Sequence, residues 1–185
     1  MKAAAFLDRD GVINASYIRN GIPHPPESFL EVQILPGVFE AINLLIANSY
    51  LPVVISNQPD IARKKIELSS VQSINDYIAQ ETGITNFYIC PHDDSDSCKC
   101  RKPKPGLIET AASDLDIDLT KSFLVGDRWR DIEAGQSLGI PSYFIDYSYS
   151  ELKPKLPFIK VSSLFEAVTI RIGENSGPRG KFSKN

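Results

Sequence analysis

The sequence predicts an α/β protein built on an open, mostly parallel sheet, and three observations lead there. Short apolar runs rich in β-branched residues alternate with stretches whose apolar residues recur every three or four positions. Several of these runs end on small polar or acidic residues, as strands do when they open onto one shared crevice. The length of 185 residues, 42% of them hydrophobic and 23% charged, suits one ordinary globular domain with a full core.

Taken in order, the first strand is Ala3 to Leu7, uncharged and closed by Asp8-Arg9-Asp10-Gly11. Asp8 and Asp10, two positions apart past a strand end, can both face the crevice, and two acids held that close need a proton or a cation. Ala15 to Glu31, with Gly21 and the run Pro23-His24-Pro25-Pro26, reads as a loop over this end of the sheet, either a substrate lid or an ordered surface crossing. His24 is a candidate ligand contact. Pro36-Gly37 opens a helix whose Val38, Ala41, Ile42, Leu45 and Ile46 share one face. Leu51 to Ile55 is the second strand and runs into Ser56-Asn57-Gln58, either a polar turn or a hydroxyl and an amide that hydrogen-bond an anionic oxygen. Ser69 is the expected N-cap of a helix over Ser70 to Gln80, with Gly83 past its end. Asn86 to Ile89 is the third strand.

That strand leads into Cys90-Pro91-His92, followed after a short acidic loop by Cys98-Lys99-Cys100. Three thiols and an imidazole so spaced can close a tetrahedral Zn²⁺ site, structural in kind because no open position remains. The alternative is a reduced thiol cluster without metal. Arg101 and Lys102 follow the fourth ligand directly, and prolines at 103 and 105 stiffen the exit, so a pinned loop would aim Lys102 at the acidic crevice. Leu107 to Leu115 is the next helix. Ser122 to Val125 is the fourth strand, ending at Gly126-Asp127, a third strand-end carboxylate, with Asp131 in the first turn of the helix that continues to Gly139. Pro141 to Ile145 is the fifth strand, and Ser163 to Ile172 the last helix. The expected domain is therefore 1–172, with 173–185 a disordered tail rich in Gly, Ser, Lys and Asn.

The composition narrows the partners. A net charge of −3 with both signs interspersed offers no basic field for nucleic acid or an anionic membrane. No apolar run nears the roughly 20 residues of a membrane span, and the N-terminus lacks a signal-peptide pattern, so a cytoplasmic protein is expected. A monomer is expected.

With the elements in place, the chain resembles the haloacid dehalogenase superfamily phosphatases. The residues that carry the resemblance are Asp8-x-Asp10-Gly11-Val12, strand-end Ser56, Lys102, and Gly126-Asp127 with Asp131. The zinc loop with Cys100-Arg101-Lys102-Pro103 narrows it to the D-glycero-D-manno-heptose 1,7-bisphosphate phosphatases and the related histidinol-phosphate phosphatases. The resemblance implies a Rossmann-like fold with no large cap domain and a zinc-stabilised loop. It implies Asp8 as nucleophile and Asp10 as acid and base. It also implies Mg²⁺ on Asp8, the Asp10 carbonyl and Asp127, with Asp131 behind them. Ser56 and Lys102 would hold the phosphoryl oxygens, and Asn57 and Arg101 would lie nearer the substrate. The implied reaction is hydrolysis of a phosphorylated sugar, a heptose bisphosphate at C7; histidinol phosphate is the alternative substrate, and an inactive zinc-stabilised binding module the reading from another class. Two features depart from the heptose pattern. Pro59-Asp60 stands where Ser-Gly is usual, and the zinc loop is short, nearer in length to that of the histidinol-phosphate enzymes.

Overall fold

A computed structural model describes residues 1–176 of the chain. The chain order is β1 (Ala3–Leu7), β2 (Tyr17–Arg19), β3 (Ile22–His24), α1 (Val38–Ala47), β4 (Tyr50–Asn57), α2 (Leu68–Thr82), β5 (Asn86–Cys90), α3 (Gly106–Leu115), β6 (Phe123–Gly126), α4 (Trp129–Ser137), β7 (Ser142–Ile145), β8 (Ile159–Val161) and α5 (Leu164–Ser176). Six strands form one sheet in the order β5-β4-β1-β6-β7-β8, every pairing parallel. Apart from the β2–β3 hairpin this is the Rossmann order, whose direction of winding reverses between β1 and β6.

Strand alternation divides the core between the two faces. Ala5, Leu7 and Val54 pack with Ala41, Ile42 and Leu45 of α1, Ile74 and Ile78 of α2, and Ala167 and Val168 of α5. Ala4, Phe6, Val53 and Ile55 face the other way, onto Leu107, Ile108 and Ala111 of α3 and Ile132 and Ala134 of α4. Covering both faces is what lets these strands be apolar on every side. No helix among the described residues is long and apolar enough to cross a membrane.

The structure corrects four details. The segment expected as loop over 15–31 contains the antiparallel hairpin β2–β3, closed by Asn20-Gly21 with φ of 53° and 75°. Positive φ at both turn positions is the type I′ geometry that Asn-Gly favours. Pro23 sits opposite Ile18, one pair beyond the Arg19–Ile22 closing pair. Hydrogen bonding alternates along such a ladder, so that position needs no N–H. Helix α2 begins at Leu68 with Glu67 at its N-cap instead of Ser69, placing a carboxylate at the positive end of the helix dipole. A sixth strand, β8, pairs with β7 at the sheet edge. Finally, α5 continues to Ser176, so residues 173–176 are helical; the rest of the expected tail, 177–185, lies outside the described residues.

Candidate active site

Three neighbouring strands deliver the functional side chains to one crevice. Asp8 follows β1 directly, Ser56 and Asn57 are the last residues of β4, and Asp127 follows Gly126 at the end of β6. Because β1 lies between β4 and β6, the three ends are adjacent at the point where the winding reverses.

Lys102 sits at the centre. Its buried Nζ donates to Asp8 Oδ1 at 2.8 Å and to the Ile55 carbonyl at 2.7 Å, and pairs with Asp131 Oδ1 at 2.6 Å. Three acceptors thus take its three N–H groups. Burial works against its charge, but Asp131 and Asp8 outweigh that and hold its pKa above the ordinary lysine value. One ammonium does not balance the acids around it. Asp8, Asp127 and Asp131 each bring a carboxylate oxygen within 4.8 Å of the others. Burial, then Asp131, pushes the Asp8 pKa up to about 7 against the pull of Lys102. Burial, then Asp8 and Asp131, raises Asp127 well above the usual carboxylate range.

The oxygens of these acids are unequally engaged. Asp131 accepts from Lys102 at Oδ1 and from the Arg128 backbone N–H at Oδ2, 3.0 Å away, where α4 begins. Asp127 Oδ2 accepts from the Tyr149 hydroxyl at 2.8 Å, whereas Oδ1 is buried with no partner among the described residues. Surplus negative charge and an orphaned buried oxygen fit a hard divalent cation bound by oxygen. Gly11 makes room for this arrangement: its φ is 90°, and a Cβ there would overlap Asp127 Oδ2.

Asp10 is held separately. The fully buried Arg9 guanidinium donates to both its oxygens, Nη2 at 3.1 and 2.9 Å, while Nη1 donates to Asn75 Oδ1 on α2 at 3.0 Å. Asn14 Nδ2 donates to Asp10 Oδ1 at 3.0 Å and Gln58 Nε2 to Oδ2 at 2.8 Å. Asn57 grips the Lys102 peptide, donating to its carbonyl at 2.9 Å and accepting from its N–H at 3.0 Å. Arg101 donates to Asp94 Oδ1 at 2.8 Å, an oxygen that also takes Arg130 Nη1 at 3.2 Å. Asp8, Asp10, Ser56, Asn57, Arg101, Lys102 and Asp131 all line one cleft of about 270 Å³, to which the hairpin adds Ile22, Pro23 and His24.

The second cluster lies beside the first. Cys90, His92, Cys98 and Cys100 also converge within 4.8 Å. The Cys90 and Cys98 sulfurs are 3.7 Å apart, Cys98 and Cys100 3.5 Å, and His92 Nδ1 lies 3.6 Å from Cys90 Sγ and 3.2 Å from Cys100 Sγ. A tetrahedron with metal bonds of about 2.1 and 2.3 Å has edges of about 3.6–3.8 Å, so the donors stand close to where Zn²⁺ would hold them. The three cysteines form no disulfide. Around them, Arg63 clasps Asp93 with bonds of 2.8 and 2.6 Å, and Lys104 Nζ donates to the Cys98 carbonyl at 2.6 Å. Lys102 leaves this loop two residues after Cys100, so the loop's shape sets where Nζ arrives.

Comparison with known proteins decides the family. A D-glycero-β-D-manno-heptose-1,7-bisphosphate 7-phosphatase of Vibrio cholerae is 37% identical over 151 residues, 75% of this chain and 78% of the relative. The chain belongs to this haloacid dehalogenase-like phosphatase family. The D-glycero-α-D-manno-heptose-1,7-bisphosphate 7-phosphatase of Campylobacter jejuni is 35% identical over 142 residues, covering 74% and 78% of the two chains. The family model described as "HAD-hyrolase-like" matches residues 99–150. Among solved structures, the D,D-heptose 1,7-bisphosphate phosphatase of B. bronchiseptica, complexed with magnesium and phosphate, superposes with a TM-score of 0.80 at 27% identity, covering 94% of this chain and 99% of that one.

Within this family frame, sequence reasoning overlooked several residues at the site. Tyr149 reaches Asp127 from the connection that follows β7, with no local signal of the contact. Arg128, paired with Glu151, shares that blind spot. Arg9 carried a signal, a cation between two acids, that points to the interior only once the strand end is seen to be closed over.

Proposed function

We propose that the protein hydrolyses a phosphomonoester of a small phosphorylated sugar, D-glycero-D-manno-heptose 1,7-bisphosphate at C7, through an aspartyl-phosphate on Asp8. The observation that carries this is Lys102 held among Asp8, Asp131 and the neighbouring Asp127, whose Oδ1 is orphaned, in a chain whose relatives bear that activity in their names. Asp8 attacks phosphorus, the bond to the sugar oxygen breaks, and Asp10 supplies the proton that the departing oxygen needs. Asp10 then takes a proton from the water that releases phosphate. Lys102 and the Ser56 hydroxyl balance the charge on the phosphoryl oxygens, and Arg101 faces the rest of the sugar. Asp8, the Asp10 carbonyl and Asp127 would hold Mg²⁺, with Asp131 behind; when bound, it neutralises charge on the phosphoryl group. Cys90, His92, Cys98 and Cys100 would hold a structural Zn²⁺.

The experiment is phosphate release in the presence of Mg²⁺ from the α- and β-anomers of the heptose bisphosphate, beside histidinol phosphate. Relatives named for each anomer make both arms necessary. Selective turnover of one heptose anomer supports the proposal. Preference for histidinol phosphate moves the substrate to the alternative that the short zinc loop favours. No release from any of the three overturns the reading.

A further inference from the structure

Gln58 is a buried amide with an unbalanced set of partners. Its Nε2 donates twice, to Asp10 Oδ2 at 2.8 Å and to Ser56 Oγ at 2.9 Å, using both of its hydrogens. Its Oε1 is buried and has no partner among the described residues. Turning the amide over would set that oxygen against the Asp10 carboxylate, acceptor against acceptor, so the N–H end must face Asp10. That leaves a buried acceptor unpaired among the described residues, against the usual pairing of buried polar groups. The backbone of Gln58 is held as well: its N–H donates to the Cys90 carbonyl at 2.8 Å, tying the residue to the root of the cysteine loop.

We infer that Gln58 is a positioning residue that aims two groups at once, the Asp10 carboxyl group and the Ser56 hydroxyl. Asp10 is already clasped by Arg9 at both oxygens and by Asn14 at Oδ1. Gln58 adds a further, shorter bond at Oδ2 from the side of Ser56, and so helps set the direction in which the Asp10 proton is offered. On the other side, Ser56 Oγ accepts from Gln58, which turns its own O–H away from the amide and toward the cleft it lines. One side chain thereby couples the group that donates to the phosphoryl oxygens to the group that protonates the leaving oxygen. This rests on the reading of Asp10 as the acid. In the step concerned, the Asp8 oxygen–phosphorus bond forms, the phosphorus–sugar oxygen bond breaks, and the Asp10 proton passes to the departing oxygen.

The test is leaving-group dependence. An alkyl ester needs that proton, whereas p-nitrophenolate departs without it, and kcat/KM reports on this first transfer alone. For Gln58→Met, close in shape and unable to donate, kcat/KM for the heptose bisphosphate should fall about 100-fold and that for p-nitrophenyl phosphate about tenfold or less. Ser56→Ala, as a control, should lower both by similar factors. Equal losses on the two esters, or none, in Gln58→Met overturn the inference while leaving the phosphatase reading intact. A wild-type protein inactive on both esters overturns the two together. Should Gln58→Met fail to fold, Gln58→Ala, whose space water can enter from the cleft, is read by the same ratio.

Discussion

Asp8 and Asp127 stand one residue past the ends of adjacent strands, and the difference between them lies in their hydrogen bonds. Asp8 Oδ1 accepts from Lys102 Nζ and from the Arg9 N–H, both at 2.8 Å, which fixes the carboxylate plane. Replacing Asp8 by Asn keeps that shape and removes the nucleophile, so turnover should fall by about 10⁴-fold or more with the melting temperature little changed. Phosphate release and thermal unfolding measure the two halves, and an active Asp8→Asn protein would end the aspartyl-phosphate mechanism. Gly11→Ala tests the crowding at Asp127. The added Cβ meets Oδ2 on a backbone with φ of 90°, so the variant should lose about 2 kcal/mol of stability and need more Mg²⁺ for half-maximal activity. An unchanged Mg²⁺ requirement would separate Gly11 from the proposed metal site. The positions of Asp8, Ser56 and Asp127 were legible in the sequence because strand ends in a parallel sheet must converge, and those of Lys102 and Asp131 because they follow the cysteine loop and the Gly126-Asp127 turn. The contacts of Gln58 and Tyr149 were not, because what matters there is which of two amide or carboxylate atoms a partner reaches.

At the scale of elements, loops do most of the positioning, and two of them are anchored by charge. The cysteine loop delivers Lys102 and would carry the proposed zinc, so Cys98→Ser should lose that metal, lower the melting temperature by about 5 °C or more, and reduce phosphate release together with it. Metal analysis alongside the assay decides the matter; a zinc-free protein with full activity would show that Lys102 needs no such help. The connection after β7 is anchored by Asp146, which accepts from Lys160 at 2.9 Å, Ser148 N–H at 2.9 Å and Lys153 at 3.2 Å. Lys160 first, then the Ser148 N–H and Lys153, holds its pKa down at about 2. A lowered carboxylate pKa stabilises the fold above the unfolded value and stops doing so as pH drops through the folded one. The melting-temperature gap between wild type and Asp146→Asn should therefore be full at neutral pH and close between about pH 4 and pH 2. A gap that stays constant across that range would mean the anchor is not ionic. The elements missed in the sequence share a cause, which is length. β8 has three residues with only Val161 buried, too few for alternation to register, and in the hairpin Pro23 masked the Asn20-Gly21 signal.

For the whole molecule, fold class came through chiefly from periodicity, since buried parallel strands and amphipathic helices write different repeats into the chain. Winding order came only with the resemblance to a Rossmann-like family, because nothing local tells β1 that its neighbours are residues 50–57 and 123–126. That placement has a consequence during synthesis. β1 leaves the ribosome before either of its two neighbours in the sheet, and one of its edges stays bare until residue 123 has emerged. Until then β1 offers a row of unpaired backbone groups that any passing strand could dock on. Asp8, Asp127, Asp131 and Lys102 gather around that same strand end, so the nascent chain has no working site to fold around before β6 closes it. The protein's vulnerable period is thus set by the distance along the gene between its first and fourth sheet strands.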